Sequence, residues 1–289
     1  MTLQLGDMNL HTAYMSGSKR ANDYEYQVSS TQGQMIEERG DVVFKNGAVY
    51  KGQWLGNMKH GFGVQVWPDG ARYEGFWRYN KACGRGKFWH VDGDVFEGEW
   101  LDDKANGYGV YVHMNGARYE GYWHQDLQHG PGKEIWTDGS KYQGDYVHGK
   151  KHGKGAYTWA DGSIYDGDWT ENRIEGYGTY TWVDGRKYTG QWMNNNMHGH
   201  GVYIWRDGRR YEGYYEYDKK HGFGVYEWAD GRKYEGNWLN GKQHGQGKYI
   251  LADGKVRIGI WENGKRLEWL NTGGNTNKKR QASKEYGVV

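Results

Sequence analysis

Apolar and polar positions along this chain alternate with a period of two, and the alternation restarts on a fixed schedule. In Tyr73-Glu74-Gly75-Phe76-Trp77, residues 73, 75 and 77 fall on one side of an extended backbone. In Gly61-Phe62-Gly63-Val64-Gln65-Val66-Trp67, residues 61, 63, 65 and 67 do the same. No stretch carries the 3.6-residue period of a helix, so each pair of runs predicts two strands. The turn that follows Trp67 holds Asp69-Gly70, and Asp-Gly returns at 92–93, 138–139, 161–162, 184–185, 207–208, 230–231 and 253–254. Asn-Gly stands in at 46–47 and 115–116. This is a strong hairpin signal. A two-residue loop would send Tyr73 to the face opposite Trp67. A three-residue loop of Pro68, Asp69 and Gly70 keeps the rings together, so a type I turn closed by a left-handed glycine and a bulge is expected. The other connection carries Asn, Asp or Gly at positions such as Asn57, Asp103, Gly149, Asn195 and Gly241, residue types that tolerate positive φ.

The schedule is strict. Tyr50, Tyr73, Phe96, Tyr119, Tyr142, Tyr165, Tyr188, Tyr211 and Tyr234 open the same phrase at one constant spacing, 73 − 50 = 23. A gapless period of this length marks a repeat architecture. A half-unit precedes the nine full ones at Gly40, Phe44 and Asn46-Gly47, and a degenerate unit follows, where Arg257 replaces the tyrosine. The expected domain plan is an N-terminal tail at 1–38, an array at 39–266, and a cap plus polar tail at 267–289. The cap would be built on Leu267, Trp269 and Leu270, and the tail carries Lys278-Lys279-Arg280. The expected fold is all-β: a single-layer, elongated, twisted antiparallel sheet of about 20 strands built from consecutive hairpins. Its core would be one-sided, with Tyr and Trp rings lying over glycines such as Gly61 and Gly75 of neighbouring strands.

Composition supports this plan. The 289 residues include 49 Gly, 16 Trp and 26 Tyr but only 2 Pro, too little aliphatic stock for an ordinary two-layer core. The single Cys83 rules out an internal disulfide framework and fits a reducing compartment. No apolar run reaches the length of roughly 18 residues that a membrane-spanning helix needs. The first twenty positions lack a signal-peptide core. Thr2 and the closing Tyr286-Gly287-Val288-Val289 match no simple lipid-anchor motif, so a soluble cytoplasmic protein is the expectation. A net charge of +2 gives no reason to expect nucleic acid.

The phrase Tyr-x-Gly-x-Trp, then Gly-x-Gly-x-Tyr-x-Trp, then Asp-Gly, is nearly intact at 165–185, 188–208 and 234–254. It resembles the MORN repeat family, over roughly residues 40–266, and most of all the long MORN proteins of ciliates and other protists. The resemblance implies a scaffold at cilia, axonemes, basal bodies or the cell cortex, or a module that binds lipid head groups. It brings no cofactor and no catalytic residues, and no room remains outside the repeats for an appended enzyme. The chain departs from the pattern at Cys83, Asn106 and Glu175, where other units have His, and at His90 and His113, where most have Trp.

Candidate chemistry is sparse. The column His60, His129, His152, His198, His221 and His244, with Cys83, invites a metal, but its members recur two strands apart, about 10 Å. Ligands of one zinc must lie within about 4 Å of each other. A structural role, stacking on rings or satisfying backbone groups, is the expectation. Gly222-Phe223-Gly224 lacks the third glycine of a phosphate loop and recurs in every unit, and pairs such as Asp166 and Asp168 are not singled out as catalytic. Two surfaces remain. Residues 1–144 carry 15 Lys+Arg against 18 Asp+Glu, whereas 145–289 carry 23 against 18. Arg186-Lys187, Arg209-Arg210 and Arg232-Lys233 follow Asp-Gly in three successive units. They form either a solvated rim or a docking ladder for an acidic protein tail or an anionic lipid surface. On the face opposite the rings, Phe62, Val64, Val66, Phe76, Trp89, Tyr108, Val110, Val112, Tyr122 and Ile135 make either a protein-docking patch or ordinary side chains shielded by Lys and Glu stems. The reading that follows is a non-enzymatic scaffold that links or spaces protein partners in a ciliary or cytoskeletal assembly, with a peripheral phosphoinositide-binding module as the alternative.

Overall fold

The computed structural model describes residues 35–270, which hold twenty-one β-strands and no helix, from β1 (Ile36–Val43) to β21 (Lys265–Leu270). The chain divides into two units at Met197/His198, inside β15 (Asn196–Ile204). Within each unit every strand pairs antiparallel with its neighbours in sequence, as the hairpin pattern predicts.

One repeat shows how the sequence builds this. β3 (Met58–Val66) runs into the Asp-Gly turn and returns as β4 (Arg72–Arg78), with Gln65 opposite Tyr73 and Gly63 opposite Gly75. Trp67 N–H donates to the Ala71 carbonyl (2.9 Å) and Gly70 N–H to the Trp67 carbonyl (3.0 Å). Gly70 has φ +95°, and the Asp69 carboxylate accepts the Ala71 N–H at 3.0 Å. This is the three-residue bulged turn expected from parity. The other connection, Tyr79-Asn80 between β4 and β5 (Lys81–Trp89), is a two-residue turn with φ of 49° and 71°. Positive φ at both central positions is the type I′ geometry that matches strand twist.

The two glycines of Gly-x-Gly have different tasks, which corrects one expectation. Gly61 does not seat a ring. It has φ +66° and lies in a bulge, where Gln53 of β2 (Val49–Leu55) faces His60, Gly61 and Phe62 together. The seat is the second glycine: a Cβ at Gly63 would overlap the Tyr50 ring, and one at Gly75 the Gly86 backbone. Alternation alone cannot show this, because the bulge adds two residues and so leaves the face parity unchanged.

The core is a layer of rings. Tyr50, Tyr73, Tyr142, Tyr165, Tyr188, Tyr211 and Tyr234 are fully buried. Tyr73 stands edge-on to Trp77 and Trp100, with centroids 5.0 and 5.3 Å away, and its hydroxyl donates to the Phe76 carbonyl at 3.0 Å. Six of the indoles also close a polar contact, for example Trp77 Nε1–H donating to the Gly63 carbonyl (3.1 Å) and Trp169 Nε1–H to the Gly155 carbonyl (2.9 Å). Edge-on aromatic pairs add about 0.5–1.5 kcal/mol each beyond area burial. At the end of the second unit, β21 pairs with β20 (Val256–Glu262), and Trp269 lies edge-on to Trp261 at 5.8 Å.

Candidate functional site

Three groups of residues carry chemistry beyond the ring layer, and the repeat geometry places each of them.

The first is the opposite face of the sheet in the first unit. Phe62 and Phe76 are cross-strand partners with centroids 5.7 Å apart and remain 44% and 50% exposed. Tyr108 and Tyr122 repeat the arrangement at 5.5 Å, 43% and 51% exposed. Between these pairs Arg85 lies opposite Glu99. A second row crosses the strands nearer the Asp-Gly turns. There Val66 faces Arg72, Arg72 faces Trp89, Trp89 faces Val95, Val95 faces Val112, Val112 faces Arg118, and Arg118 faces Ile135. Arg72 lies over the Trp89 ring at 4.3 Å. Val64, Trp89 and Val110 are half-buried. The middle row is a charge ladder in which Lys87 pairs with Glu97 at 3.0 Å and Arg118 with Glu120 at 2.6 Å. Eight of the ten residues thus form two separate apolar rows, and Val64 and Val110 lie in the charged line between them, opposite Glu74 and Glu97. Tyr177, Tyr214 and Phe223, which alternation places at equivalent positions, are exposed as well.

Phe76 has a further peculiarity. In other units the residue at its position closes the bulge: Gln53 Oε1 accepts the Phe62 N–H at 2.8 Å and Asp168 Oδ2 the Tyr177 N–H at 2.8 Å. A phenyl ring cannot accept that bond. At Tyr122 the matching bulge residue is Pro131, which has no N–H.

The second group is the dibasic set. Five of its six cations lie at ion-pair distance from carboxylates of this chain. Arg186 meets Asp184 (2.7 Å), Arg209 Asp207 (2.8 Å), Arg232 Asp230 (2.7 Å), Arg210 Glu212 (2.5 Å) and Lys233 Glu227 (3.3 Å). Each arginine of the turn reaches back to the aspartate two residues before it, a local contact that the Asp-Gly-Arg sequence makes possible.

The third group is the set of titratable side chains inside the ring layer. Lys220 Nζ lies 4.6–5.0 Å from the centroids of Trp205, Tyr211, Tyr226 and Trp238, and burial lowers its pKa to about 8. Asp94 accepts from the Tyr111 hydroxyl (2.7 Å) and the Met114 N–H (2.8 Å) and meets His113 Nδ1 at 2.9 Å. Burial opposes its charge, yet these partners hold its pKa below the ordinary value. Sequence reasoning noted His113 as a departure and missed Asp94. The signal was an aspartate where Ala71 and Ala117 stand one period away. The pair anchors the turn left without its tryptophan. Three members of the histidine column pack against rings, His60 on Tyr79 at 5.2 Å, His198 on Tyr217 at 5.1 Å and His129 beside His124 and His148 at 5.6 Å. Among the described residues the Nδ1 atoms of His60, His129, His198 and His244 are buried and have no hydrogen-bond partner, so these atoms do not serve backbone groups there. Burial lowers the pKa of His60 and His129. Among the described residues no group of three or more His, Cys, Asp or Glu is arranged to hold a metal ion, and no helix is long and apolar enough to cross a membrane.

Comparison with solved structures gives distant likenesses only. The TCP10 domain of Danio rerio CPAP is 13% identical over 80% of this chain and 99% of that one, with a TM-score of 0.29. The TCP domain of Drosophila melanogaster SAS-4, solved with a proline-rich motif of Ana2, is 11% identical over 62% and 90%, with a TM-score of 0.34. Virginiamycin B lyase from Staphylococcus aureus is 15% identical over 76% and 69%, with a TM-score of 0.15. No curated protein shows a significant match to the chain. The family model of the MORN repeat, in contrast, matches nine consecutive segments: 50–72, 73–95, 96–118, 119–141, 142–164, 165–185, 188–209, 211–231 and 234–256. With the hairpins, bulges and ring seats of those same segments in view, the chain belongs to the MORN repeat family.

Proposed function

We propose that this chain is a non-enzymatic scaffold that docks protein partners on the sheet face opposite its rings, in a ciliary or cytoskeletal assembly of the kind the family resemblance implies. One observation carries the reading: Phe76 occupies a position where a hydrogen-bond acceptor would close the local bulge, and its ring is half exposed beside Phe62. A residue that gives up local stability and exposes an aromatic pair points to binding. The dibasic set supports the lipid alternative less well, because five of its six cations already have carboxylate partners. Recognition by the aromatic pairs also accords with a neutral middle row, which gives register without strong charge.

The test uses Phe76→Gln with Tyr122→Gln, against a variant with Arg186, Lys187, Arg209, Arg210, Arg232 and Lys233 changed to Gln. A glutamine at 76 can reach the Arg85 N–H as Gln53 reaches that of Phe62, so the aromatic variant is expected to melt no lower than the parent. Crosslinking from native cells is expected to lose the partner with the aromatic variant and to keep it with the dibasic one. The reverse result, or co-sedimentation of the parent with anionic vesicles at physiological salt that the dibasic variant abolishes, would favour the lipid reading.

A further inference from the structure

β1 is an unfinished half of a repeat. One period after Gly40, and at each later period where the seat is described, the seat glycine lies beneath a ring of the preceding strand: Gly63 under Tyr50, Gly86 under Tyr73, Gly109 under Phe96, Gly132 under Tyr119. Among the described residues a Cβ at Gly40 would meet nothing within 4 Å. The register is disturbed at the same place. Regular repeats put seat glycine against glycine, as in Gly63 opposite Gly75, yet β1 slips between Arg39 and Val42, and Arg39 instead of Gly40 faces Gly52. The slip has a consequence in the core. Trp77, Trp100, Trp123, Trp169, Trp192 and Trp238 each donate Nε1–H to the carbonyl of the glycine 14 residues before them, at 2.9–3.3 Å. For Trp54 that glycine is Gly40, and Trp54 Nε1, in a side chain only 4% exposed, has no hydrogen-bond partner among the described residues. The outward edge of β1 also has no strand beside it among the described residues, and Ile36 and Val43 are exposed. An open edge of this kind is a template for another strand.

The chain itself contains a fitting strand. Gly33-Gln34-Met35 stands one period before Gly56-Asn57-Met58, the two-residue connection that joins β2 to β3, where Gly56 has φ 59°. Upstream of it, Tyr24-Glu25-Tyr26-Gln27-Val28-Ser29-Ser30-Thr31-Gln32 has the length and β-branched or aromatic content of a strand and no proline. Tyr50 precedes its seat Gly63 by 63 − 50 = 13, and Tyr26 precedes Gly40 by 40 − 26 = 14. A single-residue bulge in the added strand absorbs the difference. We propose that the free edge of β1 is a strand-acceptor site filled by residues 24–32 of this chain, which completes the first repeat by placing the Tyr26 ring over Gly40. With that strand in place β1 takes the regular register, Gly40 moves opposite Gly52, and its carbonyl comes within reach of Trp54 Nε1–H.

Hydrogen–deuterium exchange on the full chain tests this directly. Outward amides of residues 36–43 are expected to exchange slowly in the full chain and at least ~10-fold faster after Tyr26→Ala or deletion of residues 1–32, with the array from β3 onward unchanged. Gln27→Tyr, which restores the regular ring-to-seat spacing, is expected to slow them further. The Trp54 indole N–H is expected to be protected in the parent and to lose protection in the Tyr26→Ala variant. Equal exchange of residues 36–43 in the full chain and the deletion would overturn the proposal. So would protection that rises with protein concentration alongside a dimer in light scattering, since a second copy would then be the occupant.

Discussion

A glycine under a ring and a glycine in a turn fail for different reasons, and the two can be measured apart. At Gly75 a Cβ would press into the backbone of Gly86 and the carbonyl of Arg85, atoms that cannot rotate away. Gly75→Ala is therefore expected to destabilise by about 3 kcal/mol. At Gly70 the space is open and only the +95° φ resists a side chain, so Gly70→Ala should cost about 1 kcal/mol. Thermal melts of the two variants check the order. Electrostatics offers a second residue-scale test. Asp103 and Asp126 accept the N–H of Ala82 (2.7 Å) and Ala105 (2.8 Å), the task that Asn80, Asn172 and Asn195 perform in other units at 2.8 Å. Burial raises both carboxyl pKa values, against the hydrogen bonds and nearby lysines that lower them. A carboxyl whose folded pKa is raised contributes stability that is present below its unfolded value and lost as pH rises through the folded one. Asp103→Asn with Asp126→Asn should therefore raise the melting temperature at pH 7. That advantage should shrink as pH falls toward about 4, the ordinary carboxylate value. An equal gain at both pH values would point away from charge burial.

At the scale of the strand pair, some units match ring size to partner size across the sheet. Trp77 faces Ala82 and Trp100 faces Ala105, whereas Tyr146 faces Lys151 and Tyr215 faces Lys220. Where the indole shrinks to a phenol, a lysine stem fills the space and its Nζ rests among rings. The match is not general: Trp54 faces Lys59, Trp123 Gln128, Trp169 Ile174 and Trp238 Gln243, and at the first repeat Lys59 Nζ lies over Trp77 at 3.5 Å. Tyr215→Trp alone should overpack the layer, and Lys220→Ala alone should leave a cavity. The double variant recreates the Trp77/Ala82 pair, so a coupling of at least about 1 kcal/mol in its favour is expected from a double-mutant cycle. Additive single effects would mean that the two positions do not share volume.

At the scale of the molecule, stability in a repeat protein is close to a sum over units and their nearest-neighbour interfaces. Removing residues 142–164 takes out one whole period within the first unit and rejoins strands in register. The shortened chain should fold, with a far-UV spectrum and melting temperature near the parent's. Removing 142–152 deletes β10 (Lys141–Val147) almost entirely and leaves β9 (Leu127–Ile135) to meet the remnant of β11 (Lys150–Thr158) with the same direction. That variant should melt much lower or fail to fold, because neighbouring strands here are joined only by short antiparallel turns. Equal behaviour of the two deletions would contradict the repeat unit that opens at each tyrosine of the column.

The repeat, the hairpins and the bulged three-residue turn were legible in the sequence because they depend on local chemistry: alternation, Asp-Gly, and residue types that accept positive φ. The buried tyrosine column was legible for the same reason, since parity places it. Three features were not. The separate tasks of Gly61 and Gly63 depend on a bulge that keeps parity, so alternation is blind to it. The ion pairs of Arg186, Arg209 and Arg232 depend on side-chain reach from a turn whose backbone must first be built. The open seat at Gly40 and the unpartnered Trp54 N–H arise because β1 has a single neighbouring strand among the described residues. The sequence of a repeat is the same kind of text at its end as in its middle, and only a neighbour's presence or absence in space tells them apart.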